Sequence, residues 1–564
     1  MEKRWKIQPA ADAAVAALQQ QLGIHPLFCK LLVQRGIVSF EQARRFFRPD
    51  LSYLHDPLLM KDMAIAVDRL TKAIQNKEKI LLYGDYDVDG TTSIALMYSF
   101  LERYTGLLDY YMPDRYKEGY GVSLEGVEYA HQAGVSLIIT LDCGIGAIQA
   151  IQRAKAYGID VIVCDHHLPD EKRPNAIAIL DPKQPDCAYP FKELSGCGVA
   201  FKFAQAYVET HDLDWRQLED LLDFLVISIA ADIVPIVDEN RILASCGLQK
   251  LNVTARPGLK ALIELSKRQR PLSISDIVFG LGPMINAAGR LADADQAVRL
   301  FLSKNKDVAF DYGRVLAHRN TLRKEFDQRI AAEAKALFQQ NPHWASSRSI
   351  VLYQPHWHKG VVGIAAARMV EQFHRPAIIL TQSGQMVVGS ARSIQGFDMH
   401  QALKMCEDLL ISFGGHTHAA GLTLRPEEVP FFQERFEAVA DLMISDEMLV
   451  PTIELASEIS LKDLSPAFWN ILKQFAPFGP GNMSPVFVAR QVKDTGYSSV
   501  LNGNHLRLAI KQNDSAPFYG IAFDAGDWHT KIATKQPFDI CFSLTENNWK
   551  DSSHLQLQVK DLKF

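Results

Sequence analysis

Three carboxylates stand at alternate positions in one short stretch, Asp85, Asp87 and Asp89, within Ile80-Leu-Leu-Tyr-Gly-Asp-Tyr-Asp-Val-Asp-Gly90. Like charges this close repel one another unless a cation sits among them, so the stretch reads as half of a metal site. Further acidic and imidazole groups recur at Asp142, at Asp165-His166-His167 and at Asp232. Carboxylates with one or two imidazoles, and no thiolate cluster, suit a hard divalent ion such as Mn²⁺ or Mg²⁺ better than Zn²⁺. Cys164 lies inside an apolar run and reads as a core thiol. Two divalent ions a few ångströms apart can activate a water and stabilise the attacking and leaving oxygens of an in-line displacement at phosphorus. The chemistry such a site points to is hydrolysis of a phosphoester or phosphoanhydride.

The elements that position these groups follow from the pattern around them. The apolar run from Ile80 ends at Gly84, as a buried strand feeding a loop would, and Thr91 to Tyr104 reads as a helix capped by a threonine. Leu137–Leu141, Asp160–Cys164 and Ala176–Leu180 are three more apolar runs, with a helix expected over Ala147–Tyr157. Strands buried on both faces and separated by helices form a parallel sheet, whose ligands bind beyond the carboxyl ends of the strands. The first three runs deliver Asp85, Asp142 and Asp165-His166-His167 to that edge. Leu218–Ile233 reads as one long apolar helix with Asp232 near its end. That carboxylate is expected at the metal site; the alternative is a local pairing near Asn240 and Arg241.

Length and composition bound the class. At 564 residues the chain is expected to hold three or four domains, and 48% hydrophobic with 22% charged residues is a globular balance. No apolar run nears the roughly 20 residues that cross a bilayer, and the first residues lack a secretory core, so a cytoplasmic protein is expected. The eight cysteines are dispersed, without a C-x-x-C pair; neither a disulfide framework nor a zinc knuckle is indicated. A formal net charge of −5 excludes a uniformly basic coat for duplex DNA but leaves room for one basic groove.

Residues 1–60 read as a helical leader, with Ser39 capping a helix through Phe47. Asp307–Gln340, charged and free of proline, reads as a long connecting helix. A second mixed lobe begins with a strand at Ser349–Tyr353, a helix at Gly360–Gln372 and a strand at Ala377–Leu380. Phe475-Ala-Pro-Phe-Gly-Pro-Gly-Asn482 reads as a hinge-like loop. After it, five short runs (Val486–Ala489, His505–Ile510, Pro517–Phe523, Phe538–Leu544, His554–Val559) fit a small barrel of the oligonucleotide-binding kind, with Tyr519, Phe523 and Lys531 as candidate contacts.

The succession Asp85-Tyr-Asp-Val-Asp-Gly, Asp142, Asp165-His166-His167, Asp232 resembles the DHH phosphoesterase superfamily, and in particular its single-strand-specific 5′→3′ DNA exonucleases. The resemblance implies an α/β chain: a parallel-sheet DHH domain (61–306), a long helix (307–340), a smaller α/β DHH-associated domain (341–448) and a C-terminal OB-fold barrel (449–564). It implies two Mn²⁺ or Mg²⁺ ions held by Asp87, Asp89, Asp142, His166 and Asp232, with Asp142 bridging and Asp85 and His167 as further ligands or phosphate contacts. The segment Pro113–Gly121, with Arg115 and Tyr120, resembles one that receives nucleic-acid phosphates. Gly282-Pro-Met-Ile-Asn-Ala-Ala-Gly-Arg290 resembles a family stretch in which Met284 replaces a usual arginine while Arg290 is kept. The stretches around His358, Ser390-Ala-Arg392 and His416 resemble the DHH-associated domain, with Arg115, Arg290, Ser390 and Arg392 implied to hold the 5′-terminal phosphate. The implied activity is release of 5′-mononucleotides from single-stranded DNA in repair and recombination, by a monomer working with a helicase and a single-strand-binding protein. Alternatives are a DHH phosphatase of short oligonucleotides, cyclic dinucleotides or pyrophosphate, and a non-catalytic DNA-binding scaffold.

Overall fold

A computed structural model describes residues 2–564 apart from Tyr116 and residues 292–293, 342–343, 345, 535 and 550–551. The chain divides into two compact units, Met1–Lys6 with His318–Ile453, and Ile7–Ala317 with Glu454–Phe564. No helix among the described residues is long and apolar enough to cross a membrane.

The larger unit contains a five-stranded parallel sheet in the order Leu108–Tyr111, Ile80–Gly84, Leu137–Leu141, Asp160–Cys164, Ala178–Leu180. Its four other strands beside Leu108–Tyr111 are apolar runs because helices cover both faces. Ile80, Leu82, Leu137, Ile139 and Ile162 enter one core, and Leu81, Tyr83, Ile138, Val161 and Val163 enter another. Fully burying each such side chain is worth about 1.5–3 kcal/mol. The half-buried edge strand Leu108–Tyr111 carries Asp109 and shows no apolar run, so the sequence pattern does not reveal it.

Two helices differ from expectation. The helix after Gly84 spans Val88–Leu101 and is capped by Asp87, whose side chain accepts the Gly90 N–H at 3.0 Å. Asp89 therefore lies in its first turn, not in a loop, and no threonine caps it. The apolar stretch before Asp232 is two helices, Arg216–Glu219 and Leu222–Ala231, the second ending at Asp232.

The leader starts with a strand, Arg4–Ile7, and continues as the helices Asp12–Leu22, Pro26–Val33 and Phe40–Phe47, the last capped by Ser39. Leu18, Phe28, Leu31 and Phe46 share one core with Phe468, Phe475, Phe487 and Leu508. The leader helices are thus part of the wall of the C-terminal barrel. All five expected barrel runs are strands: Phe487–Asp494, His505–Lys511, Phe518–Ala522, Phe538–Trp549 and Ser552–Lys563, with Ser457–Glu458 and Ser499–Leu501 added. Lys493 opposite Lys511 closes the sheet on itself.

The smaller unit has a mixed five-stranded sheet in the order Ser412–His416, Ala419–Leu424, Met386–Arg392, Ala377–Ser383, Ile350–Tyr353. The helices Val362–Phe373 and Val429–Met443 pack on it. The helix Lys306–Gln340 runs 35 residues, starting in the larger unit and ending in the smaller one.

Candidate metal centre

Four neighbouring strands end in one row: Gly84 stands opposite Leu141, Leu141 opposite Cys164, and Cys164 opposite Leu180. The next residue in each case is an aspartate, so Asp85, Asp142, Asp165 and Asp181 follow one another along the sheet edge at the strand spacing of about 4.8 Å.

Ligand atoms of Asp85, Asp87 and Asp142 lie within 4.8 Å of one another, as do those of Asp89, His166 and Asp232 and those of Asp142, His166 and His167. His166 Nε2 is 3.2 Å from Asp142, 3.6 Å from Asp232 and 3.8 Å from Asp89. Two trios therefore meet at the Asp142–His166 contact, and all seven residues expected at the centre are in it.

The electrostatics of this group are those of a site built around positive charge. Burial, reinforced by the neighbouring carboxylates, raises Asp85, Asp87, Asp142 and Asp232 above the ordinary carboxylate range. Burial lowers His166. Asp85 Oδ1, Asp142 Oδ1 and both ring nitrogens of His166 are buried without a hydrogen-bond partner. Unsatisfied buried acceptors each cost about 1–3 kcal/mol. A divalent cation would satisfy the carboxylate oxygens and the unprotonated ring nitrogen and would reverse the repulsion, so the donor set fits Mn²⁺ or Mg²⁺.

Two of the acidic residues are held by dedicated supports. Asp89 Oδ2 accepts the Gly196 N–H at 2.7 Å, and Oδ1 accepts the Cys197 N–H at 2.9 Å and the Ser228 hydroxyl at 2.7 Å. These amides open the helix Gly196–Thr210, whose N-terminus favours an anion. Ser195 caps that helix through the Gly198 N–H, and its hydroxyl lies 2.6 Å from that of Ser228. Asp165 accepts the amides of Ile145, His166 and His167 and the His167 ring at 2.7 Å. Burial works against its charge, yet these donors hold it below the usual carboxylate range. Burial also opposes a charged His167, but Asp165 lifts that ring to about 9. Asp165 is thus a positioning group: the sequence places it at the strand-end row, and its hydrogen bonds give it this role. Asp181 stays outside the trios, with burial pushing it up to about 7.

The local-pairing alternative for Asp232 does not hold. Asn240 Nδ2 donates to the carbonyls of Glu193 and Pro235, and Arg241 donates to those of Phe46, Phe475 and Ala476 at 3.0 Å each.

Around the centre, the Tyr120 hydroxyl donates to the Asp142 carbonyl at 3.1 Å and lies 3.2 Å from the His167 ring. The Arg115 guanidinium sits 5.0 Å over the Tyr86 ring. Arg290 lies in the last turn of the helix Gly282–Leu291, whose Gly289 abuts the Tyr86 carbonyl so closely that a Cβ would stand 2.6 Å from it. Met284 is 3% exposed within the core; an apolar side chain there offers no phosphate contact. In the smaller unit, Ser390 accepts a hydrogen bond from Arg392 at 3.0 Å, and Ala419 pairs with both Arg392 and His416. A Cβ on Gly363 would meet Ser390 Oγ at 2.8 Å and Arg392 at 3.0 Å. His358 accepts the Gly360 N–H at 3.1 Å and stacks on Phe326.

A parallel sheet with this acidic and histidine edge defines a phosphoesterase domain of the DHH type, and residues 79–229 match the DHH family, N-terminal domain. Residues 347–441 match the DHHA1 domain and residues 455–561 the RecJ OB domain. The chain is 38% identical to the single-stranded-DNA-specific exonuclease RecJ of Bacillus subtilis (strain 168), over 99% of this chain and 70% of that one. It is 32% identical to RecJ of Escherichia coli (strain K12), over 95% and 96% of the two chains. The crystal structure of RecJ in complex with Mn²⁺ from Thermus thermophilus matches 100% of this chain and 79% of that one, with a TM-score of 0.86 at 27% identity. The chain belongs to the RecJ family.

Proposed function

We propose that this chain is a single-strand-specific 5′→3′ DNA exonuclease that releases 5′-mononucleotides by phosphodiester hydrolysis, in DNA repair and recombination. The observation that carries the proposal is the meeting of two ligand trios at Asp142 and His166, with buried acceptor atoms left for cations. Asp87, Asp89, Asp142, His166 and Asp232 would hold two Mn²⁺ or Mg²⁺ ions, with Asp142 as the candidate shared ligand and Asp85 and His167 as further ligands or phosphate contacts. Ions bound there would lower the pKa of a water and neutralise charge on the attacking and leaving oxygens.

The protein's own groups do the positioning. The helix N-terminus and Ser228 hold the Asp89 carboxylate in place. Asp165 keeps His167 protonated at neutral pH, a cation facing the phosphate, and Tyr120 orients its ring. Arg115 and Arg290 receive phosphate by paired N–H donors. In the smaller unit Ser390 and Arg392, with His358 and His416, offer a phosphate-binding face of their own. A site that takes the end of one strand supports both the polarity and the preference for unpaired DNA; a helicase and a single-strand-binding protein would supply that substrate.

The test is Asp142→Asn with 5′-labelled single-stranded DNA. Mononucleotide release should vanish while strand binding persists. Joint loss of binding and hydrolysis would mark Asp142 as structural. A wild-type chain that cleaves dinucleotides or pyrophosphate but leaves long strands intact would move it to the small-substrate phosphatases.

A further inference from the structure

The segment from Asp232 to Val237 leaves the metal centre under an unusual backbone constraint. Ile233, next to Asp232, has φ +60°, a conformation that a β-branched residue adopts only under strain. Its side chain is 59% exposed, so its own burial does not hold it there. The restraint lies downstream. The Pro235 carbonyl accepts a hydrogen bond from Asn240, and the Ile236 N–H donates to the Pro480 carbonyl at 2.7 Å.

Pro480 belongs to Gly479-Pro-Gly-Asn482, just before the barrel strand Phe487–Asp494. Gly479 and Asn482 exchange both backbone hydrogen bonds, at 3.1 and 2.9 Å. Gly481 has φ +71°. Proline followed by a glycine at positive φ is the type II turn. Its middle peptide is flipped relative to type I, which aims the Pro480 carbonyl at Ile236. Glycine is required twice for the approach: a Cβ on Gly479 would stand 2.5 Å from Ile236 Cγ1, and one on Gly481 would stand 2.9 Å from Val237 Cγ1.

The turn is locked from behind. Asn482 Nδ2 donates to the Phe475 and Pro477 carbonyls at 2.8 and 2.9 Å, and Asn482 Oδ1 accepts from Arg35 at 2.7 Å. Arg241, 4% exposed, donates to the carbonyls of the same loop and lies 3.7 Å over the Phe46 ring. A stretch that the sequence suggests is a hinge is instead cross-linked on both sides.

We infer that the Gly479–Asn482 turn is a positioning element for Asp232: the entry loop of the barrel grips the segment behind this ligand and sets its hold on a divalent cation. The inference deepens the proposed function and rests on Asp232 being a ligand. It makes the C-terminal barrel part of the support of the metal centre, not only a surface for the strand.

The test compares Gly481→Ala with Gly496→Ala in the full chain, using Mn²⁺ alone as the probe. Gly496 also has positive φ, +92°, but faces open space, so it matches the backbone strain without touching the Asp232 segment. Titration followed by the EPR signal of free Mn²⁺ should show about tenfold weaker binding for Gly481→Ala, the effect expected when a ligand's support is lost. Its rate of mononucleotide release should recover at saturating Mn²⁺. Gly496→Ala should keep the wild-type isotherm even if its melting temperature falls. A folded Gly481→Ala with a wild-type isotherm overturns the inference. Should that variant fail to fold, hydrogen exchange on the wild-type chain decides: Mn²⁺ should slow exchange of the Ile236 amide and of residues 475–482. Slowing near Asp142 without slowing in that loop overturns it equally. A wild-type chain that takes up no Mn²⁺ would refute the metal centre itself.

Discussion

Ser228→Ala isolates one support of one ligand. Asp89 is held by two amides and one hydroxyl, and Ser228 bonds to Oδ1, the oxygen turned away from His166. A hydrogen bond to a charged group contributes about 1.5–3 kcal/mol. At 1.4 kcal/mol per factor of ten, that corresponds to roughly ten- to hundredfold in an equilibrium constant. Because the amides of Gly196 and Cys197 remain, the lower end is expected, so Mn²⁺ should bind about tenfold more weakly. Free Mn²⁺ followed by EPR gives the isotherm. Mononucleotide release measured against Mn²⁺ concentration should move to higher concentration by the same factor, with its plateau kept. Ser228→Cys, similar in size but a weak donor, should fall between. Ser195→Ala, one hydroxyl further out, should do less. An isotherm that superimposes on the wild type, or a lowered plateau with an unmoved midpoint, would refute the idea that this hydroxyl orients Asp89.

Three further outcomes follow from the same geometry. Asp85, Asp142 and Asp232 are raised above their ordinary values mainly by burial, so the stability they contribute is present at acid pH and lost as pH rises through those values. Calorimetry of Mn²⁺-free protein should show a melting temperature that falls as pH rises above the ordinary carboxylate range, and added Mn²⁺ should raise it most at the alkaline end. Asp165→Asn removes the partner that lifts His167 to about 9; the alkaline limb of the rate–pH profile should shift toward neutrality. Gly196→Ala would place a Cβ 2.6 Å from Asp142 Cβ and 2.7 Å from its Oδ1. Mononucleotide release should then drop by about a hundredfold or more with circular dichroism unchanged, since a misplacement of about 1 Å costs that much.

The sheet edge was legible because a strand buried on both faces is an apolar run, and its end is marked by the first charged residue. Asp85, Asp142 and Asp165 stand out for that reason, whereas the half-buried strand Leu108–Tyr111 has no such contrast. The start of the helix Val88–Leu101 was misplaced because Asp87, Asp89 and Thr91 are all good caps, and only the path of the chain selects among them. The supports of Asp89 were not legible at all: Gly196 and Ser228 lie 107 and 139 residues from it in sequence. The union of leader and barrel was hidden likewise, since Phe28 and Phe46 find Phe468 and Phe475 only in the folded chain. For Arg290, Ser390 and Arg392, the residue pattern alone gives no role; the resemblance to the superfamily supplied the expectation.

Asp87 and Asp89 each serve two purposes, since Asp87 caps the helix Val88–Leu101 and Asp89 anchors the start of Gly196–Thr210. Asp142 has φ +61° and an oxygen that makes no hydrogen bond, and asparagine tolerates that backbone conformation. Where an uncut complex with DNA is wanted for crystallography or for capture of bound strands from cells, Asp142→Asn is the substitution to choose. Alanine at Asp87 or Asp89 would loosen two helix ends along with the chemistry, and the captured state would no longer report on the native grip of the strand.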